Sequence, residues 1–163
     1  MSPTTKQNLT DFLNQQYLCE SLTLKEVETL LEYTDVVSFA SQAIIADAGT
    51  IGDALYFMVS GEAALMYLDN GQEMEVGRMI EGELIGEMSF FDRKPRLLRM
   101  RAVRDDTQLL RLSRPRYERL RVEHPYIAVN LLEHAIISLD HLVRRVSEQE
   151  ASLTRYIFGP GKR

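Results

Sequence analysis

The sequence predicts an α+β protein that is mainly β: an antiparallel β-roll flanked by N-terminal helices and a long C-terminal helix. Three observations predict it. Seven of the nine glycines (Gly49, Gly52, Gly61, Gly71, Gly77, Gly82 and Gly86) fall between Val36 and Leu112, among short β-branched or aromatic segments. Before that stretch, Leu24, Val27, Leu30 and Leu31 recur at helical spacing. After it, a helical pattern runs from Pro125 to about Leu153, which at 1.5 Å per residue is roughly 40 Å.

The elements follow in order. Residues 1–10 are polar, contain Pro3 and read as a loose arm, and Leu9 to Leu18 reads as a short helix. Thr23 followed by Glu26 is a capping-box pattern that starts a second helix. Ala54 to Val59 and Glu62 to Tyr67 are strands, Asp69-Asn70-Gly71 is a hairpin turn signal, and Glu73 to Met79 returns. Leu98 to Val103 and Gln108 to Leu112 read as a further pair, joined at Arg104 to Thr107. Ser113 is a good N-cap for a short helix over Arg114 to Val122, with Pro115 near its first turn. Residues 1–22 are expected as arm and helix, 23–153 as one domain with its roll at about 36–112 and long helix at about 125–153, and 154–163 as a tail.

Composition narrows the function. At 163 residues, 45% hydrophobic and 26% charged, the chain suits one soluble domain. Its longest apolar run, Ala54 to Val59, is far too short to span a membrane, and the first ten residues lack the core of a secretory signal. A cytoplasmic location is expected. Cys19 is the only cysteine, which excludes an intramolecular disulfide and a cysteine-based zinc site. A net charge of −5 argues against direct DNA binding, since DNA-binding domains concentrate positive charge. No nucleophile–base motif or metal triad is visible, so an enzyme is not expected and no cofactor or metal is required.

The stretch Ile85-Gly86-Glu87-Met88-Ser89 … Pro95-Arg96 holds the chemistry. Glycine permits a tight turn and close approach of a ligand. The free N–H groups of the turn that follows suit an anion, and a guanidinium at Arg96 matches phosphate oxygens. Glu87 can accept hydrogen bonds from sugar hydroxyls. By themselves these residues also fit a roll corner with a surface Arg and Glu.

Two motifs together resemble the cyclic nucleotide-binding domain family. The first is Gly49-Thr-Ile-Gly52-Asp-Ala-Leu-Tyr-Phe-Met-Val-Ser-Gly61, a glycine-bounded strand. The second is the phosphate-binding cassette, Gly86-Glu87-Met88-Ser89 … Pro95-Arg96 … Met100-Arg101-Ala102. The resemblance covers residues 25 to 145. It implies a jelly roll (a double-stranded β-helix) that binds cAMP or another cyclic nucleotide. It also implies Arg96 on the cyclic phosphate, Glu87 on the ribose 2′-hydroxyl, and Gly86, Met88 and Ser89 close to the ligand through the turn. Leu97 and Leu98 follow the arginine where the family keeps small residues; their amides reach toward the phosphate but their side chains add bulk. Leu142 and Val143 stand where bacterial members read the base with hydroxyl groups. No recognition helix follows the long helix, so a domain without its own DNA-binding element is expected.

On the long helix, Val129, Leu132, Ile136, Leu139, Val143 and Val146 form an a/d seam, and Leu131, Ala135 and Leu142 widen the apolar surface. One face can cover the roll while the other meets a second copy, so a homodimer is expected, as the family resemblance also implies. His134 and His141 are seven residues apart, too far for one metal ion. Cys19 reads as a small buried hydrophobe or an inert surface thiol. Arg93, Lys94, Arg96, Arg99 and Arg101 form a basic cluster that suits anion recognition or alternating exposed strand positions better than nucleic acid. The expected function is a cyclic nucleotide sensor that signals through its C-terminal helices to a protein partner. The alternative is a ligand-free roll that serves as a dimerising interaction module.

Overall fold

The computed structural model describes residues 3–158, with side chains described for 5–140, 144, 147 and 148. Helix α1 spans Pro3–Asn14 and a single 3-10 turn follows at Tyr17–Cys19. The helix therefore starts well before Leu9, and the expected loose arm is helical from Pro3. Proline suits a first turn, whose N–H has no intrahelical acceptor. Packing then fixes the helix: Leu9 and Leu13, one turn apart, are buried, and Lys6 pairs with Glu32 at 3.1 Å.

Helix α2, Leu24–Glu32, starts at the expected capping box, with Thr23 Oγ1 accepting from the Glu26 amide and the Glu26 carboxylate from the Thr23 amide. Eight strands follow: β1 (Asp35–Phe39), β2 (Ile44–Ala46), β3 (Ala54–Ser60), β4 (Glu62–Asp69), β5 (Gln72–Ile80), β6 (Leu84–Ile85), β7 (Leu98–Ala102) and β8 (Thr107–Ser113). They form two antiparallel four-stranded sheets, ordered β1-β8-β3-β6 and β2-β7-β4-β5. The β4–β5 hairpin closes at Asn70 and Gly71, both at positive φ, as the turn signal required.

One expected pairing fails. β7 and β8 are consecutive, yet β7 pairs with β2 and β4 in one sheet while β8 pairs with β1 and β3 in the other. The Val103–Asp106 link is a crossover between the sheets, because a roll closes by passing the chain from one layer to the next.

Two cores result. Ile45, Tyr56, Met58, Ala63, Ile85, Met100, Ala102 and Leu109 fill the space between the sheets. Leu55, Phe57, Leu110 and Leu112, on the opposite side of β3 and β8, pack under α1, α2 and the C-terminal helices through Leu13, Val27, Leu31, Leu120, Ile127 and Leu131. Covered on both faces, β3 reads in sequence as a continuous apolar run.

Helix α3 is short (Glu87–Asp92), α4 spans Arg114–Glu123 and α5 spans Pro125–Phe158. Ser113 occupies the N-cap position of α4 in extended conformation, but its hydroxyl makes no capping bond. On α5, Ile127, Leu131 and Ala135 face the core. Asn130 Nδ2 donates to the Leu18 carbonyl at 2.6 Å, and both His134 ring nitrogens meet carbonyls, of Asn130 and Tyr17. These contacts tie α5 to the N-terminal turn. The buried Cys19, last residue of that turn, has its thiol pKa pushed up to about 12 by desolvation, so it is an inert core group.

Candidate functional site

Strand β6 delivers the chain to Gly86, which at φ +90° turns it sharply into α3. A side chain there would be strained, and its Cβ would stand 3.2 Å from Arg96 Nη1. Gly52, just before β3, approaches from the other side. A Cβ on Gly52 would lie 2.8 Å from the Phe90 amide nitrogen and 3.1 Å from Arg96 Nη2. Two bare glycine backbones thus form the seat of the Arg96 guanidinium.

The main chain of Arg96 is pinned. Its N–H donates to the Thr50 carbonyl and its carbonyl accepts from the Gly49 N–H, each at 2.8 Å. Its side chain is not. No described residue hydrogen-bonds or ion-pairs with the half-buried guanidinium. Its basic neighbours differ. Arg99 bonds Asp47 and Glu73, and Arg101 bonds Glu73 and the Gln42 carbonyl. Those two occupy alternating outward positions of β7, as the second reading of the basic cluster anticipates.

Glu87 opens α3 and is only 9% exposed. Burial pushes its carboxyl above the usual range. Its own backbone N–H, the Ser138 hydroxyl donating at 3.2 Å from α5, and the Arg96 charge all favour the ionised form and oppose that rise. Ser89 is buried, and its hydroxyl is already committed: it accepts from the Gly52 N–H at 2.7 Å and donates to the Lys94 carbonyl at 2.5 Å. It locks the Gly52 loop to the segment leading to Arg96. Met88 is 51% exposed.

The two leucines after Arg96 separate. Leu97 is 75% exposed and continues the outward parity of Arg99 and Arg101. Leu98 is half-buried, pairs with Tyr67 in register and shares the inward parity of Met100 and Ala102. Of the pair, Leu98 alone directs its bulk inward.

Sequence reasoning missed Arg114. Its Nη2 donates to the Gly52 carbonyl at 2.6 Å and the Phe90 carbonyl at 2.7 Å, and its guanidinium lies 4.3 Å from the Phe90 ring centroid. A signal existed: a cation at the first position of α4 opposes that helix's dipole and therefore serves something else.

Along α5, Val129 (49%) and Ile136 (67%) are exposed while Leu132 and Leu139 are half-buried. Val143 and Val146 of the expected seam, and Leu142 and His141, lie outside the described side chains. Among the described residues, no helix is long and apolar enough to cross a membrane.

The described residues thus form a β-roll, backed by helices, that seats a guanidinium without a hydrogen-bond partner near a buried carboxylate, an arrangement chemically suited to an anion. Comparison with known proteins makes the class specific. The family model for the cyclic nucleotide-binding domain matches residues 36–124, and the chain belongs to that family. The cyclic AMP receptor protein of Thermus thermophilus is 32% identical over 156 residues, 88% of this chain and 72% of that protein. A cAMP-dependent protein kinase regulatory subunit from Emericella nidulans is 31% identical over 109 residues, covering 67% of this chain but only 26% of the subunit. Among solved structures, the catabolite activator protein of Thermus thermophilus superposes with a TM-score of 0.66 at 33% identity, over 86% of this chain and 63% of that one. A cyclic nucleotide-binding domain from Methylobacillus flagellatus gives 0.79 at 21% identity, over 98% and 86%, and supports the jelly-roll fold alone. These relatives are receptor and regulatory proteins.

Proposed function

We propose that this chain binds a cyclic nucleotide of the cAMP type and relays its presence through α4 and α5 to a protein partner. One observation carries the reading: Arg96 is held on a glycine seat with its backbone bonded and its guanidinium unpaired among the described residues. A guanidinium that no described acid hydrogen-bonds keeps its donors free for an anion from solution. The cyclic phosphate keeps one negative charge and matches the guanidinium fork. Glu87, at the start of α3, is assigned to a sugar hydroxyl. Gly86, Met88 and Ser89 shape the turn, and the amides of Leu97 and Leu98 lie next to the arginine. The proposed ligand-binding domain is residues 23–153, the module works in the cytoplasm, and it pairs with a second copy through Val129, Leu132, Ile136 and Leu139 on α5. The exposure of Val129 and Ile136, on a helix whose other face is buried, supports that pairing.

Calorimetric titration with cAMP, cGMP and cyclic dinucleotides tests the binding reading. A cyclic mononucleotide is expected to bind, and Arg96→Ala to weaken it roughly 30- to several-thousand-fold. Parent-like affinity in Arg96→Ala would refute the assignment of Arg96. Indifference of the parent to every cyclic nucleotide offered would leave the dimerising module, without a ligand, as the better reading.

A further inference from the structure

Three residues outside the cassette join the candidate site to the C-terminal helices: Ser138 of α5 bonds Glu87, Tyr117 of α4 packs on Phe90, and Arg114 reaches the backbone beside Arg96. Arg114 is the first residue of α4. Its backbone N–H donates to the Asp53 carbonyl at 2.8 Å, and its guanidinium bonds the Gly52 carbonyl next door. The same nitrogen reaches the Phe90 carbonyl in the last turn of α3, while the guanidinium covers the Phe90 ring. Carbonyls in a last helical turn lack intrahelical donors, and a cation there also suits the helix dipole. Gly52 is consequently held from two sides, its N–H by Ser89 and its C=O by Arg114. Gly52 is also the wall that a Cβ could not occupy without meeting Arg96. The aromatic contact of Phe90 with Tyr117, ring centroids 5.3 Å apart, also joins α3 to α4, but Arg114 is the contact that includes Gly52.

We propose that Arg114 is a positioning residue: it holds the two backbone segments that seat Arg96 and fastens both to the start of α4. Movement of α3 on ligand binding is thereby drawn into α4 and then α5. The relay rests on the cyclic nucleotide reading; the holding role does not.

Amide hydrogen exchange on the full chain tests both. Arg114→Met keeps an unbranched stem and removes the donors, Arg114→Lys keeps charge and donors, and Arg114→Gln replaces the methionine variant should it fail to fold. Without ligand, Arg114→Met is expected to exchange about tenfold faster at Gly52, in α3 and in the first turn of α4, with the β4–β5 hairpin unchanged and Arg114→Lys largely restored. Parent-like exchange at Gly52 and α3 would overturn the holding role, whether or not a ligand binds. At saturating cAMP, the parent is expected to slow exchange in both α3 and the first turn of α4, and Arg114→Met in α3 alone. Equal protection of α4 in both proteins overturns the relay. A parent that binds no cyclic nucleotide defeats the relay together with the proposed function, and the ligand-free comparison still decides the holding role.

Discussion

The outer face of β7 and the loop that leads into it use the same residue for opposite purposes. Arg99 and Arg101 lie across a sheet surface where Asp47 and Glu73 meet them, and Arg78 is met likewise by Glu62 and Glu75. Three residues before Arg99, Arg96 is anchored by its main chain and its guanidinium lies against two glycines, with Glu87 near enough to feel its charge but not bonded to it. The difference lies in the surroundings. Where carboxylates hydrogen-bond an arginine, its charge is spent on the fold; Arg96 has only the through-space influence of Glu87, and under the proposed function its hydrogen-bonding edge serves a ligand.

The largest expected effect breaks this comparison or confirms it. Arg96→Ala should lose roughly 30- to several-thousand-fold in cyclic nucleotide affinity. Arg99→Ala and Arg101→Ala should stay within about threefold, and each should change stability little, as expected of ion pairs near the surface. Titration calorimetry and urea unfolding measure the two. Comparable affinity losses in all three variants would mean that the cluster acts as one basic patch.

The contrast between satisfied and waiting groups extends to α5, where Leu131 and Ala135 are buried and Val129 and Ile136 are not. Ile136→Glu would place a charge in the proposed seam, at a cost of several kcal/mol if it stayed unpaired. Sedimentation should then show a monomer with an unchanged circular dichroism spectrum. A dimer that survives the substitution puts the interface elsewhere.

Protonation sharpens the comparison further. Glu73, on the spent face, is held below the usual carboxylate range by Arg101 and Arg99 hydrogen bonds. Its contribution to stability is present above its unfolded pKa and is lost as pH falls through the folded one. Glu87 is shifted the other way by burial. With its folded pKa raised, the folded protein holds that proton more tightly than the unfolded chain, so stability falls as pH rises from the unfolded value through the folded one. A ligand hydroxyl needs the ionised carboxylate. Affinity should therefore decline on the acid side at a pH above the ordinary glutamate range, and Glu87→Gln should bind more weakly and show no such limb. Ser138→Ala, which removes a bond favouring the ionised form, should move the limb to higher pH. An acid limb unmoved by both substitutions would assign it to another group.

The smallest expected effect is none at all. If the arginines of β7 are neutralised by acids, the cluster offers no polyanion surface, and duplex DNA binding should be undetectable in a gel shift at about 0.15 M salt. A sequence-specific shift would overturn that reading of the cluster.

What the sequence determined by itself is local. The Thr23–Glu26 box, the Asn70-Gly71 hairpin and the Gly86 turn into α3 each depend on residues within a few positions of one another, so their spacing along the chain states their geometry. The tertiary structure decided the rest. It put β7 and β8 in different sheets, made the N-terminal arm a helix by packing Leu9 and Leu13, and turned Leu97 outward and Leu98 inward. It also brought together partners far apart in the chain: Arg99 and Asp47 are 52 residues apart, Ser138 and Glu87 51, and Arg114 and Gly52 62. Contacts of that separation form only when the whole chain closes, and no spacing rule encodes which carbonyl or carboxylate an arginine will meet. The Gly86–Arg96 motif was therefore legible before the fold was known, whereas which of the nearby arginines stays unpaired among the described residues, and that Arg114 bonds Gly52 and Phe90, was not.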